Sequence, residues 1–204
     1  MPKRQKSLKQ GLQGQVRIIG GDWRGRKLPV PFCEGLRPTS DRVRETLFNW
    51  LQFDLPGSRC LDAFAGSGAL AAESLSRGAS QVLLLEKEPR VAKQLRELLT
   101  ELAGDQAQVL NADTLQYLEQ ESKEAFDLVF LDPPFTQGLL EPTCRLLEDQ
   151  GWLAESAKIY LEIEKQAPVQ QLPDNWSLLK EKEAGEVRYS LYQRASVNAN
   201  ISAS

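Results

Sequence analysis

RCLDAFAGSGALAAESLSRG (59–78) is the stretch on which the reading of this chain turns. RCLDAF (59–64) reads as a buried strand, and GALAAESLSRG (68–78) as a helix stopped by Gly78. Between them lies Asp62-Ala63-Phe64-Ala65-Gly66-Ser67-Gly68. Small residues let the backbone turn sharply there and come close to a ligand. In open α/β sheets, ligands bind at this carboxyl edge of the strands.

Working outward, the strand-helix alternation repeats. QVLLLE (81–86), AQVLNA (107–112), FDLVFLD (126–132) and KIYLEIE (158–164) read as strands. PRVAKQLRELLTELAG (89–104) and DTLQYLEQ (113–120) read as helices, and QGLLEPTCRLLEDQ (137–150) as a helix broken by its proline. WSLLKEKEAGEVRYSLYQR (176–194) predicts a hairpin turning at Ala184-Gly185. Such repeated units define a doubly wound α/β domain, here closed by an antiparallel hairpin. Upstream, VRIIGGDWRGRKLPVP (16–31) predicts two short strands around Gly20-Gly21-Asp22. A helix follows, capped by Thr39 or Ser40, with Val43, Leu47, Trp50 and Leu51 on one apolar face. The expected organisation is a loose basic tail (1–15), a hairpin and helix (16–50), the main domain (51–194) and a loose tail (195–204).

The 204 residues contain no histidine, which excludes Ser-His-Asp and Cys-His catalytic units and any His-liganded metal site. Cys33, Cys60 and Cys144 form no C-x-x-C, so the expectation is reduced thiols in a cytoplasmic protein without metal. No apolar run approaches the ~20 residues of a membrane span. The net charge of −3 conceals an asymmetry. Residues 1–50 carry 11 Lys+Arg against 4 Asp+Glu, a net of +7, and residues 51–204 carry 14 against 24, a net of −10. A basic end on an acidic body points to a polyanionic partner, and the basic residues Arg17, Arg24, Arg26, Lys27 and Arg42 lie in patterned sequence rather than in a tail. Trp23 among them is suited either to stack on a base or to pack the hairpin.

Glu86 ends the second strand of the main domain, 20 residues after Gly66. An acid there can accept from both hydroxyls of a ribose. Gly66-Ser67-Gly68-Ala69-Leu70-Ala71 fits the dinucleotide fingerprint, but Asp62 puts a carboxylate beside the loop. That charge suits the cationic amino-acid end of S-adenosylmethionine (SAM) better than a pyrophosphate. Asp113 can accept from an adenine amine or serve simply as a helix cap. Asp132-Pro133-Pro134-Phe135 ends the next buried strand. Two prolines hold the backbone extended and remove two N–H donors, leaving acceptors at the Asp132 carboxylate and Pro133 carbonyl. With the face of Phe135, this set fits a planar base bearing an exocyclic amine, turned out of its stack.

DAFAGSG, the acid of LLLEKE, NAD and LDPPF together resemble the class I SAM-dependent N-methyltransferases with a (D/N/S)PP(Y/F) motif. RIIGGDWRGRKLPVP and GLRPTSDRVRETLFNWL are similar to RsmD-type 16S ribosomal RNA guanine-N2 methyltransferases, and the likeness runs from about Val16 to Arg194. It implies a Rossmann-like seven-stranded sheet in order 3-2-1-4-5-7-6 with a small basic N-terminal β-hairpin. It implies that SAM is held by Asp62, Gly66, Gly68, Glu86 and Asp113. The neighbours Phe64, Ala65, Ser67, Lys87 and Thr114 belong to the same expected site, with Arg37, Pro38 and Thr39 closing over it. Asp132, Pro133, Pro134 and Phe135 are expected to hold the guanine. The expected partner is 16S rRNA or the 30S subunit, met by a monomer. Rival readings are an N-methyltransferase of adenine or another substrate, a dinucleotide-dependent oxidoreductase, and a non-catalytic RNA-binding protein on the same fold.

Overall fold

The computed structural model describes residues 12–31, 39–135, 137–168 and 171–195. Cys33, Arg37, Pro38 and the tail segments 1–11 and 196–204 lie outside the described residues.

Two strands, β1 (Leu12–Arg17) and β2 (Lys27–Pro31), form an antiparallel hairpin. Leu12 to Gln15, expected to be loose tail, belong to its first strand. Helix α1 (Asp41–Trp50) follows, capped by Ser40, whose hydroxyl accepts from the Val43 N–H. The main sheet then takes up β3 (Arg59–Asp62), α2 (Ala69–Ser76), β4 (Gln81–Glu86), α3 (Pro89–Ala103), β5 (Ala107–Asn111), α4 (Thr114–Leu118), β6 (Phe126–Leu131), α5 (Leu140–Asp149), β7 (Leu153–Glu164), β8 (Trp176–Ala184) and β9 (Val187–Arg194). The strand order is β5-β4-β3-β6-β7-β9-β8, parallel from β5 to β7 and antiparallel at β9 and β8. Counted within the main sheet, this is the expected 3-2-1-4-5-7-6.

Side chains alternate across each strand, and the two faces collect separate cores. Cys60, Val82, Leu84, Leu128, Phe130 and Tyr160 pack against α1, α2 and α3. Leu61, Leu83, Leu85, Val129, Leu131 and Leu161 pack with residues of α4 and α5. The chain leaves β3 in one direction through β4 and β5, then returns to β3's other side as β6. Strand order therefore reverses between β3 and β6, and a crevice opens above their carboxyl ends.

Three local readings are revised. Gly20-Gly21 is not the apex of the first hairpin. Ile18 N–H still pairs with the Arg26 carbonyl, and the chain turns through Trp23 to Gly25. The two glycines instead press on α2: a Cβ at Gly21, where φ is +73°, would lie 1.7 Å from the Ser76 carbonyl oxygen. Helix α5 is unbroken, because Pro142 falls in its first turn, where an N–H has no helical partner to lose. Strand β7 starts five residues earlier than expected, at Leu153, and rejoins register with β6 only at Lys158, across a bulge.

Candidate active site

The crevice between β3 and β6 is lined with carboxylates, and strand register explains how they come together. Asp62 pairs with Leu84 on β4 and with Phe130 on β6. Phe130 in turn pairs with Tyr160 on β7. Two residues further along the same face, these partners become Glu86, Asp132 and Glu162. Acids from four adjacent strands thus gather on one face of the carboxyl edge, with Asp62 one step below the other three.

Asp62 is buried, 3% exposed. Burial, with the Glu86 charge second, pushes its pKa up to about 7, against the pull of the Phe64 and Ala71 N–H groups. Among the described residues no cation pairs with it. Glu86 is held by backbone donors: Gly66 N–H reaches one carboxylate oxygen at 2.9 Å and Glu88 N–H the other at 2.7 Å. Each oxygen keeps a lone pair for a further donor. Burial, opposed by these N–H bonds, also raises Glu86. Asn111 fixes the turn beyond β4 by donating to the Glu86 and Lys87 carbonyls, both at 2.9 Å.

The loop between β3 and α2 needs its glycines. Gly66 and Gly68 have φ of +50° and +70°, in the left-handed region. Ala65 N–H bonds the Leu85 carbonyl, and Ala65 and Ser67 are buried. Phe64 packs on the second core cluster. The loop stays close to β4, with Gly66 N–H bonded to Glu86 and Ala65 N–H to Leu85. Asp113 caps α4 by accepting from Gln116 N–H and pairs with the exposed Lys87 at 2.9 Å. The Lys87 hydrogen bond, first among several causes, lowers its pKa. Thr114 is buried and its hydroxyl donates to the Ala63 carbonyl, a bond that ties α4 to the loop.

Asp132 follows β6. Burial, then the Glu162 and Asp62 charges, push its pKa well above the usual range, while the Thr39 hydroxyl donates to it at 3.3 Å. Thr39 is thus tied to the strand end that carries Asp132, and Ser40 caps α1. Pro133 is buried, Pro134 exposed and Phe135 half-buried. Glu162, which sequence reasoning missed, is 6% exposed and accepts the Tyr160 hydroxyl at 2.7 Å. The available signal was an acid on the buried register of an apolar strand.

The basic residues lie elsewhere. Arg17, Arg24, Arg26, Lys27 and Arg42 are exposed and make no ion pair among the described residues. Trp23 is half-buried against the first core cluster. The loop carrying it is fastened to α2. Glu73, fully buried, accepts Ile19 and Gly20 N–H at 2.8 Å each and Arg77 Nε at 2.8 Å, with buried Arg44 at 3.6 Å. Ser76 donates to the Gly20 carbonyl and accepts from Trp23 N–H. This explains why α2 is buried along its whole length despite three polar residues.

A buried carboxylate at Asp62 with no cation beside it among the described residues, a Glu86 carboxylate with lone pairs to spare and a glycine loop between them form an acceptor set that fits SAM. Together with the strand order, they define a class I SAM-dependent methyltransferase. A family profile described as Conserved hypothetical protein 95 matches residues 16–193. Ribosomal RNA small subunit methyltransferase D of Escherichia coli (strain K12) is 54% identical over 181 residues, which is 89% of this chain and 91% of that one. The protein of the same name from Haemophilus influenzae is 53% identical, covering 89% and 95%. The solved structure of yhhF from Escherichia coli superposes with a TM-score of 0.82 at 53% identity, over 90% of this chain and 99% of that one. The chain belongs to the ribosomal RNA small subunit methyltransferase D family.

Proposed function

We propose that the protein methylates the exocyclic N2 of one guanine in small-subunit ribosomal RNA. The observation that carries this reading is the meeting of a SAM-type loop and the Asp132–Phe135 motif at one switch point, with Thr39 bonded to Asp132.

Bound SAM supplies a methyl group made electrophilic by its positively charged sulfur, which is why no histidine base is needed. The residues of the chain provide binding and geometry. Asp62 faces the cationic amino-acid end, Glu86 takes the ribose hydroxyls, and Asp113 lies at the adenine side with Lys87. The extended Pro133-Pro134 backbone leaves the Pro133 carbonyl free to accept, beside the Asp132 carboxylate. These acceptors pull the amine's N–H bonds to one side and favour pyramidal nitrogen, whose lone pair is otherwise delocalised into the ring. Phe135 stacks on the base. Much of the acceleration comes from orientation, and Asp132 receives the proton released.

Arg17, Arg24, Arg26, Lys27 and Arg42 meet RNA phosphates, which position the substrate without specifying its sequence. The protein acts in the cytoplasm as a monomer, which light scattering on a sizing column tests. Tritiated methyl transfer to 30S subunits, naked 16S rRNA and DNA tests the activity, with Asp132→Ala as control. Incorporation into ribosomal RNA that is lost in the variant supports the reading. Incorporation into DNA alone, or into nothing, overturns it.

A further inference from the structure

Glu162 has no role in the reaction as described, yet it is buried beside the substrate motif. Leu131 pairs with Leu161 across β6 and β7, so Asp132 and Glu162 fall side by side on the face that holds Asp62. The Tyr160 hydroxyl holds one Glu162 oxygen at 2.7 Å. No described residue donates to the other oxygen, and no described cation pairs with the carboxylate. On its far side, Glu162 stands opposite Tyr189 of β9, whose ring stacks on Trp50. The side chain is thus held by Tyr160 on the sheet face it shares with Asp132, and its second oxygen has no donor among the described residues.

A buried carboxylate beside a half-buried one needs N–H donors to be tolerable. A guanine turned out of its stack offers three on one edge, the N1–H and the two of N2. Adenine offers two, and its N1 is a bare acceptor that a carboxylate repels. Building on the guanine reading above, we propose that Glu162 accepts the N1–H of the target base. Asp132 and the Pro133 carbonyl then take the amine. Glu162 is in this way the residue that selects guanine over adenine in a motif otherwise suited to either.

The test uses 2-aminopurine, which keeps the amine at C2 but has a bare N1. The guanine methylated by the wild-type enzyme is mapped, and 16S rRNA is ligated with guanine or 2-aminopurine at that position. Wild-type kcat/KM is expected to favour guanine by about 10- to 100-fold, the scale of one good polar pair to a base edge. Glu162→Gln still accepts the Tyr160 hydroxyl but turns an amide N–H toward N1. It is expected to lower guanine methylation and bring the ratio to one or below. SAM affinity by calorimetry should be unchanged.

Equal wild-type rates on both bases would overturn the assignment without recourse to any variant. So would a Glu162→Gln enzyme slowed equally on both, since that marks a purely structural carboxylate. Wild-type enzyme that methylates no guanine-containing RNA would instead remove the underlying function.

Discussion

Asp62 carries a clear pH signature. Its pKa is pushed up to about 7, first by burial and then by Glu86. A cationic ligand favours the ionised form, so SAM binding should expel a proton when the pH is below that value. Affinity measured calorimetrically is expected to rise between pH 6 and 8, then level off. In Asp62→Asn it should be weak and flat across the range. Thr39 acts on the neighbouring acid. Thr39→Val removes one hydrogen bond worth about 1 kcal/mol, so kcat should fall by roughly fivefold while SAM affinity stays unchanged. Asp62 and Asp132 were legible as candidates because strand ends and a proline pair mark them locally, whereas Thr39 was expected over the cofactor or as a helix cap and its bond to Asp132 was not foreseen. Glu162 was not, since its importance depends on which strand lies beside β6, and nothing in KIYLEIE states that.

At the scale of elements, the fastening of the hairpin loop to α2 has a large energetic consequence. Glu73 joins two backbone N–H groups and Arg77, with Arg44 close by, all in a buried setting. Removing one member of such a pair leaves uncompensated charge and costs about 3–5 kcal/mol. Glu73→Ala is expected to lower the melting temperature on the order of 10 °C, measured by circular dichroism. The same network shows why the first hairpin was misplaced from sequence. Gly20-Gly21 has the composition of a turn, but its glycines allow close approach to a helix some 50 residues away. Elements built on local periodicity were recovered well. Two of the misreadings fell where distant contacts decide, at this loop and at the β7 bulge, and one was local, a first-turn proline taken as a break in α5.

For the molecule as a whole, the charge asymmetry becomes a spatial one. The exposed arginines of the hairpin belong to a loop anchored on the helix that starts at the cofactor loop. On the proposed reading, RNA held by these arginines is fixed relative to the crevice. Arg24→Ala with Arg26→Ala should weaken ribosomal RNA binding and reduce the slope of log affinity against log salt by about 2. An unchanged slope in filter binding would remove the hairpin from the RNA contact. The strand order is the one the family resemblance implied, and the N-terminal hairpin is present although its turn was misplaced.

The acids gathered at the carboxyl edge also have a consequence for how the protein withstands heat. Asp62, Asp132 and Glu162 all have pKa values raised by burial, so at neutral pH each favours an unfolded chain in which it ionises freely. For such groups the folded state binds more protons than the unfolded one, and stability falls as pH rises toward the folded pKa. Activity and robustness therefore pull in opposite directions here. Asp132→Asn, dead as an enzyme, is expected to melt several degrees higher than the wild type at pH 8 in ligand-free solution. That margin should shrink as the pH falls, because protonation removes the buried charge that the substitution removes.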